Sequence, residues 1–249
     1  MSLFLIGFCV HLASAGYAAP QEEVAEYERK GEFQNALKVM ELHKKEFSDD
    51  FAVSFRIADY LFYGRKGVET DKPRARELYA ALVQSLTGVR DRTPETLYMT
   101  GIAVSNAFGD TASAFKYLLE SAENGYPPAE AEVAFRYMKG IGVKMNVEQA
   151  AQWAKKATAH DNAFGQAIYG AYLLIVRKQK GEGFRLIQKS ADAGNPGGQY
   201  MLFHCLYDGC ACEKNREKSM QYLELSADQG FPDAVSKLQI LRTSVSTQH

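Results

Sequence analysis

The sequence predicts an all-α solenoid of about six helix hairpins with a C-terminal capping helix, and three observations predict it. The stretch "KSADAGNP", Lys189 to Pro196, is nearly repeated as "LSADQGFP", Leu225 to Pro232. The alanine that opens each such motif falls at Ala122, Ala157, Ala191 and Ala227, at intervals of 35, 34 and 36 residues. A period of that size marks stacked units, none of which can bury its apolar face alone. Between these landmarks small and apolar residues step at helical spacing, as in Ala129, Val133, Ala134 and Tyr137 at i, i+4, i+5 and i+8.

In chain order, residues 1–20, "MSLFLIGFCVHLASAGYAAP", hold an apolar run from Leu3 to Leu12 followed by Ala13, Ser14 and Ala15. This predicts a signal peptide and a periplasmic or secreted protein, although no Lys or Arg precedes the apolar run. The run is too short to span a bilayer, and no later segment reaches the ~20 apolar residues that a membrane helix requires. Residues 21–50 read as one helix pair turning near Gly31 and Phe33, with Ala36 in its second helix; the acidic "EFSDD" that follows is a polar connection.

The solenoid occupies residues 51–242. The first helix of each unit, helix A, carries Val53, Ile57, Ala58 and Leu61, then Thr96, Thr100, Gly101 and Val104. The stripe continues through Ala129 to Tyr137, then Gly165, Tyr169, Gly170 and Leu173, and finally Gly198, Leu202, Phe203 and Leu206. In the fullest unit Gly140 and Gly142 permit a turn with positive φ, Val143 plugs it, and Asn146 caps helix B, whose stripe is Ala150, Trp153 and Ala157. The echoed eight letters are then the end of helix B, a glycine C-cap (Gly125, Gly194, Gly230) and a proline opening the next helix A (Pro127, Pro196, Pro232). His160 stands where the other units have glycine, so Asp161 or Asn162 must turn the chain, and that junction is expected to be the least regular. "FPDAVSKLQILR" is a lone helix A covering the end of the stack, and residues 243–249 form a loose tail.

Lys plus Arg number 29 against 30 for Asp plus Glu, a net charge of -1, which leaves no basic footprint for nucleic acid. No motif reads as catalytic. "SAFK", Ser113 to Lys116, has the spacing of a lysine-activated serine but lacks the supporting elements and opens a helix B. "GEGF", Gly181 to Phe184, lacks the third glycine of a dinucleotide loop and reads as a turn. The basic run "RKQKGEGFR", Arg177 to Arg185, reads as a solvated connection. No cofactor is implied.

The motifs "A-x-x-x-V-A-x-x-Y-x-x-G-x-G-V" at Ala129 to Val143 and "A-x-x-W-x-x-K-A" at Ala150 to Ala157 resemble the Sel-one-like repeat (SLR) family, itself related to the tetratricopeptide fold. The resemblance covers most of the chain from about Val53; the helix pair at 21–50 is closer to the tetratricopeptide pattern. It implies a right-handed α/α superhelix serving as a protein-binding scaffold or adaptor, with no reaction attached. It departs from the family pattern in the units containing Gly101, Gly170 and Phe203, which lack the full glycine turn.

By the same resemblance, helix A side chains between the packing positions line a concave, partner-binding groove. Those positions are Phe55, Asp59, Phe62 and Tyr63 in the second unit and Tyr98, Ile102 and Asn106 in the third. The fourth supplies Phe135, Met138 and Lys139, and the sixth Tyr200, His204, Tyr207 and Asp208. The competing reading is that several of these rings bury themselves between units. In an oxidising compartment Cys205 pairs with Cys212, or in competition with Cys210, leaving one thiol over, or all three stay reduced; some family members carry bridges within a repeat. A zinc site is disfavoured because His204 and Cys205 point about 100 degrees apart on a helix. The functional expectation is an exported scaffold binding another protein, either an adaptor or an immunity protein neutralising a secreted toxin. The alternative is an envelope hydrolase acting on peptidoglycan or a β-lactam.

Overall fold

The side chains at the start of each helix B decide how the chain packs. The fourth residue of helix B is Ala36, Ala75, Ala114, Ala150, Gly183 or Ser219 in the six hairpins, and every one is buried. A small residue there lets the two antiparallel helices approach almost backbone to backbone, so flanking Leu, Phe and Tyr side chains close over the crossing. The computed structural model describes residues 18–46 and 50–246. Among them it contains thirteen helices arranged as six hairpins and a cap.

The hairpins are α1 (Ala18–Lys30) with α2 (Phe33–Glu46), α3 (Phe51–Tyr63) with α4 (Lys72–Thr87), and α5 (Pro94–Phe108) with α6 (Thr111–Glu123). They continue as α7 (Pro127–Lys139) with α8 (Val147–Ala159), α9 (Ala163–Ile175) with α10 (Lys180–Asp192), and α11 (Pro196–Asp208) with α12 (Arg216–Asp228). The cap is α13 (Pro232–Ser246). Each helix packs on the next in sequence, and the A helices also pack on one another in the pairs α3/α5, α7/α9 and α9/α11. No two B helices of neighbouring hairpins pack comparably among the described residues. The A helices therefore form the inner layer of a curved stack and the B helices the outer.

Local sequence explains where the helices start. Asp50, Asp71, Thr93, Asp110, Asn146, Asn162, Asn195 and Asn215 each accept a backbone N–H three residues on, satisfying donors that the first turn leaves open. Asp50 is thus a cap rather than merely part of a polar connection.

The junctions are more uniform than the sequence suggests. Gly125, Gly194 and Gly230 turn with φ of 77, 80 and 76°, and Asp161 takes the same left-handed conformation at 57°. The two closing bonds match as well: Asp161 N to Thr158 O at 3.0 Å and Asn162 N to Ala157 O at 2.9 Å repeat Gly194 N to Ala191 O at 2.9 Å and Asn195 N to Ser190 O at 3.1 Å. The irregular junction expected at His160 is therefore not found. The unit holds one additional residue before its turn, so Ala157 is the counterpart of Ser121, Ser190 and Ser226, and Asp161 that of the glycines. Those three serines are fully buried and donate to the first carbonyl of their own helix A, at Pro94, Ala163 and Pro196. Asp161 is held by Lys189 at 2.6 Å and Gln166 at 3.1 Å.

Two further expectations are corrected. "GEGF" is not a turn but the first turns of α10, and Gly183 is there because a Cβ would lie 2.7 Å from the Gly170 carbonyl of α9. The basic run is accordingly a connection only over 177–179. The tail expected from Thr243 is helical through Ser246; residues 247–249 lie outside the described residues, as do residues 1–17 of the expected signal peptide. The cap itself behaves as anticipated, burying Ala234 and Leu238 against Phe203 and Leu223.

Replacing Gly183 by Ala should push α9 and α10 apart and cost about 1–3 kcal/mol. Gly181→Ala, whose Cβ meets nothing within 4 Å, should be neutral or stabilising by up to ~1 kcal/mol; urea titration of both variants checks the pair. Asp161→Gly should stay within ~1 kcal/mol of wild type and Asp161→Val lose about 1–2 kcal/mol more, because only the latter forces a β-branched residue into the left-handed region.

Candidate protein interaction surface

Residues four apart share a helix face, and the inner face of each A helix shows the pattern. Its fifth residue is Phe55 in α3, Tyr98 in α5 and Tyr200 in α11. The ninth is Asp59, Ile102, Phe135 or His204, and the thirteenth Tyr63, Asn106, Lys139 or Asp208. Phe62, Met138 and Tyr207 hold the twelfth position. The fourteen side chains singled out in the sequence thus fall into rows running across the stack.

The rows divide by burial. Phe55 is buried, lying 6.0 Å from Tyr79 and 6.2 Å from Tyr98 between ring centroids, and Tyr98 lies 5.5 Å from Tyr126. Phe62 meets Tyr63 and Tyr79 edge-on and carries Lys72 over its face. Phe135 tilts against Phe164 at 5.5 Å, and Tyr200 packs on Phe203 and Phe231. These rings are largely mortar between hairpins, and burial raises the hydroxyls of Tyr63 and Tyr98 above their ordinary range. The open part of the surface is more polar. Asn106 donates to Tyr63 Oη at 3.5 Å, and Asp59 pairs with Arg65 at 2.7 Å. Desolvation pushes the Asp59 carboxyl up, and Arg65 opposes it. His204 and Asp208 remain accessible, their side chains 44% and 61% exposed and 3.8 Å apart, with partial burial drawing the His204 imidazole down. Arg216 lies over the Tyr207 ring at 4.9 Å.

Several contributors were not visible in the sequence. Arg136, 4% exposed, donates through Nε to Glu132 at 2.8 Å and leaves Nη1 without a partner among the described residues. Lys139 of the fourth hairpin reaches Asp233 of the cap at 3.1 Å. The loop after α3 meets the final junction: Lys66 N donates to Asp228 O at 2.7 Å, its Nζ pairs with Asp228 at 2.9 Å, and Gly230 lies directly on the Gly64 carbonyl. The stack therefore closes into a ring across 162 residues of chain. A cleft of about 440 Å³ opens at this seam, bordered by Tyr63, Arg65, Lys66, Leu238 and Arg242. Opposite charges at such separations leave no mark on local periodicity, so no signal in the sequence could have paired them.

Cys205, Cys210 and Cys212 are free thiols in this structure. Cys212 Sγ donates to the Cys205 carbonyl at 3.6 Å, and burial pushes the Cys205 thiol well above its usual range, so it is a poor nucleophile at neutral pH. No group of three His, Cys, Asp or Glu among the described residues is arranged to hold a metal, and no described helix is long and apolar enough to cross a membrane.

A family model for the Sel1 repeat matches residues 54–81, 96–126, 127–162, 167–195 and 196–231, one match per hairpin from the second to the sixth. The chain belongs to the Sel1 repeat family. Sel1 repeats typically form scaffolds for protein–protein interaction. Among solved structures the Sel1 stack is similar to an immunity protein, Pa5087, from Pseudomonas aeruginosa: 19% identical, covering 90% of this chain and 86% of that one, TM-score 0.54. It is similar also to Pseudomonas aeruginosa 5086, 17% identical with 92% and 89% coverage and a TM-score of 0.55. At these identities the likeness is one of fold. Among curated proteins the chain is 25% identical over 207 residues to the chitin synthase regulator SKT5 of Saccharomyces cerevisiae, matching 74% of this chain and 28% of that protein. The chain thus spans little more than a quarter of that relative.

Gly230→Ala should open the ring, since its Cβ would collide with the Gly64 carbonyl and φ is +76°. Small-angle scattering should then report a larger radius of gyration with unchanged helical content; an unchanged radius would mean that the seam does not hold the ring.

Proposed function

We propose that this protein is an exported scaffold that binds another polypeptide on the inner face of its ring. The observation that carries the reading is the inner layer of A helices, in which buried rings fix the hairpins while Asp59, Asn106, Lys139, His204 and Asp208 remain as polar contacts on the same face. Rigid apolar footing beneath adaptable polar groups suits recognition of an extended segment or a partner helix. The apolar run at Leu3 to Leu12 with its small-residue end supports export to the periplasm or beyond.

Within that reading, an immunity protein that neutralises a secreted toxin and an envelope adaptor both fit. The fold shared with the Pseudomonas aeruginosa immunity protein over nearly the full length of both chains supports the former. The hydrolase alternative finds no support. The seam cleft is not lined by Ser113, and it is bordered by Arg65, Lys66, Arg242 and a single carboxylate, Asp228, rather than by a pair.

Tagged full-length protein should retain its partner on affinity resin, with mass spectrometry identifying it; a toxin whose activity is abolished on binding marks immunity, and an envelope component marks an adaptor. A Lys139→Glu, His204→Glu, Asp208→Lys variant should bind that partner at least tenfold more weakly with an unchanged far-ultraviolet spectrum. Full affinity in this variant would rule out the inner face.

A further inference from the structure

The loops that join helix A to helix B lie along one edge of the stack, and in the third to fifth hairpins they touch. A Cβ on Gly142 would fall on the Thr111 carbonyl, and Tyr172 of α9 donates to Glu148 of α8 at 2.8 Å. This edge carries apolar side chains where solvent would favour polar ones. Phe108, Met145 and Ile175 are 61, 63 and 61% exposed, one in each of three successive hairpins, with Val147 and Val176 beside them at 40 and 45%. Lys144, Arg177, Lys178 and Lys180 stand among them, all exposed, and none forms an ion pair among the described residues. Three acids share the edge. Two of them are turned back into the fold, Asp110 onto Ser113 N and Glu148 onto Tyr172, leaving Glu182 in the first turn of α10.

From this arrangement we infer that the edge of hairpins three to five docks the protein onto an anionic lipid surface. Apolar tips on separate loops, interleaved with cations, match a headgroup layer in which each tip inserts independently while lysines stay among the phosphates. A protein partner would need a complementary shape, and lysine is depleted at such interfaces. The inference is independent of the inner-face reading, since it uses none of the same residues.

The test is sedimentation of the full chain with vesicles of equal phosphatidylglycerol and phosphatidylcholine, against phosphatidylcholine alone, at low ionic strength. The wild type should partition at least tenfold more strongly onto the anionic vesicles, and added salt should weaken it. A Phe108→Ser, Met145→Ser, Ile175→Ser variant and, separately, a Lys144→Glu, Arg177→Glu, Lys178→Glu variant should each lose at least tenfold. The charge variant decides the matter if the apolar one fails to fold. Wild type that stays in the supernatant overturns the inference, as do two folded variants that sediment like wild type, which would assign binding to the apolar run at Leu3 to Leu12. A wild type indifferent to vesicles whose apolar variant loses a protein partner also overturns it, in favour of a protein-binding edge.

Discussion

Close crossing of the two helices within each hairpin is the constraint on which the rest of this structure depends. Where Gly183 meets Gly170, a single methyl group would stand 2.7 Å from a carbonyl oxygen, and Gly101 tolerates no Cβ against Leu118. Because the crossing is so near, large residues cannot sit in it and are displaced to its flanks. Tyr79, Leu118, Ile187 and Leu223 pack over it, Leu118 against Gly101 and Ile187 against Gly170, and are fully buried in clusters shared with the next hairpin or the cap. Each burial of that kind is worth roughly 1.5–3 kcal/mol, so the units owe their stability to their neighbours. The sixth hairpin shows the rule by exception. Phe203 takes the position held elsewhere by Ala58, Gly101, Ala134 or Gly170 and packs with Leu223 beneath Ala234 and Leu238 of the cap.

How far the fold could be read in advance follows from which features are local. Period, helix phase and the glycine-proline junctions are local, so the hairpins from Phe51 to Asp228 and the covering helix were all legible. The register of the fourth junction was not. Ala157 can pack as a serine equivalent or as the alanine beside it, and although the missing glycine handed the turn to Asp161 or Asn162, nothing in the letters says that Asp161 is the one that adopts positive φ. Gly181 and Gly183 invite a turn by composition, yet one of them is required by packing against another helix. Sequence reports that a glycine is needed, not whether a turn or a neighbour needs it.

The inner face was legible as phase and illegible as environment. Fourfold spacing placed Phe55, Tyr98 and Tyr200 in one row, but whether a ring faces a partner or a neighbouring hairpin depends on how far adjacent units rotate. That rotation sums over the stack. Its total brings Lys66 to Asp228 and Lys139 to Asp233, contacts that no window of the sequence contains. Buried rings on the inner face hold the curvature, while the polar groups beside them divide between those tied into the fold, such as Asp59 and Lys139, and those left accessible, such as His204 and Asp208.

A solenoid ordinarily changes length at little cost, because a duplicated or deleted hairpin merely extends or shortens the spiral. Here the last junction rests on the loop of the second hairpin, with Gly230 against Gly64. One hairpin more or fewer would carry Asp228 past Lys66 and leave both ends of the belt unbuckled. The copy number of this protein is therefore fixed by its circumference, and its descendants can vary by point substitution far more readily than by gaining or losing a repeat.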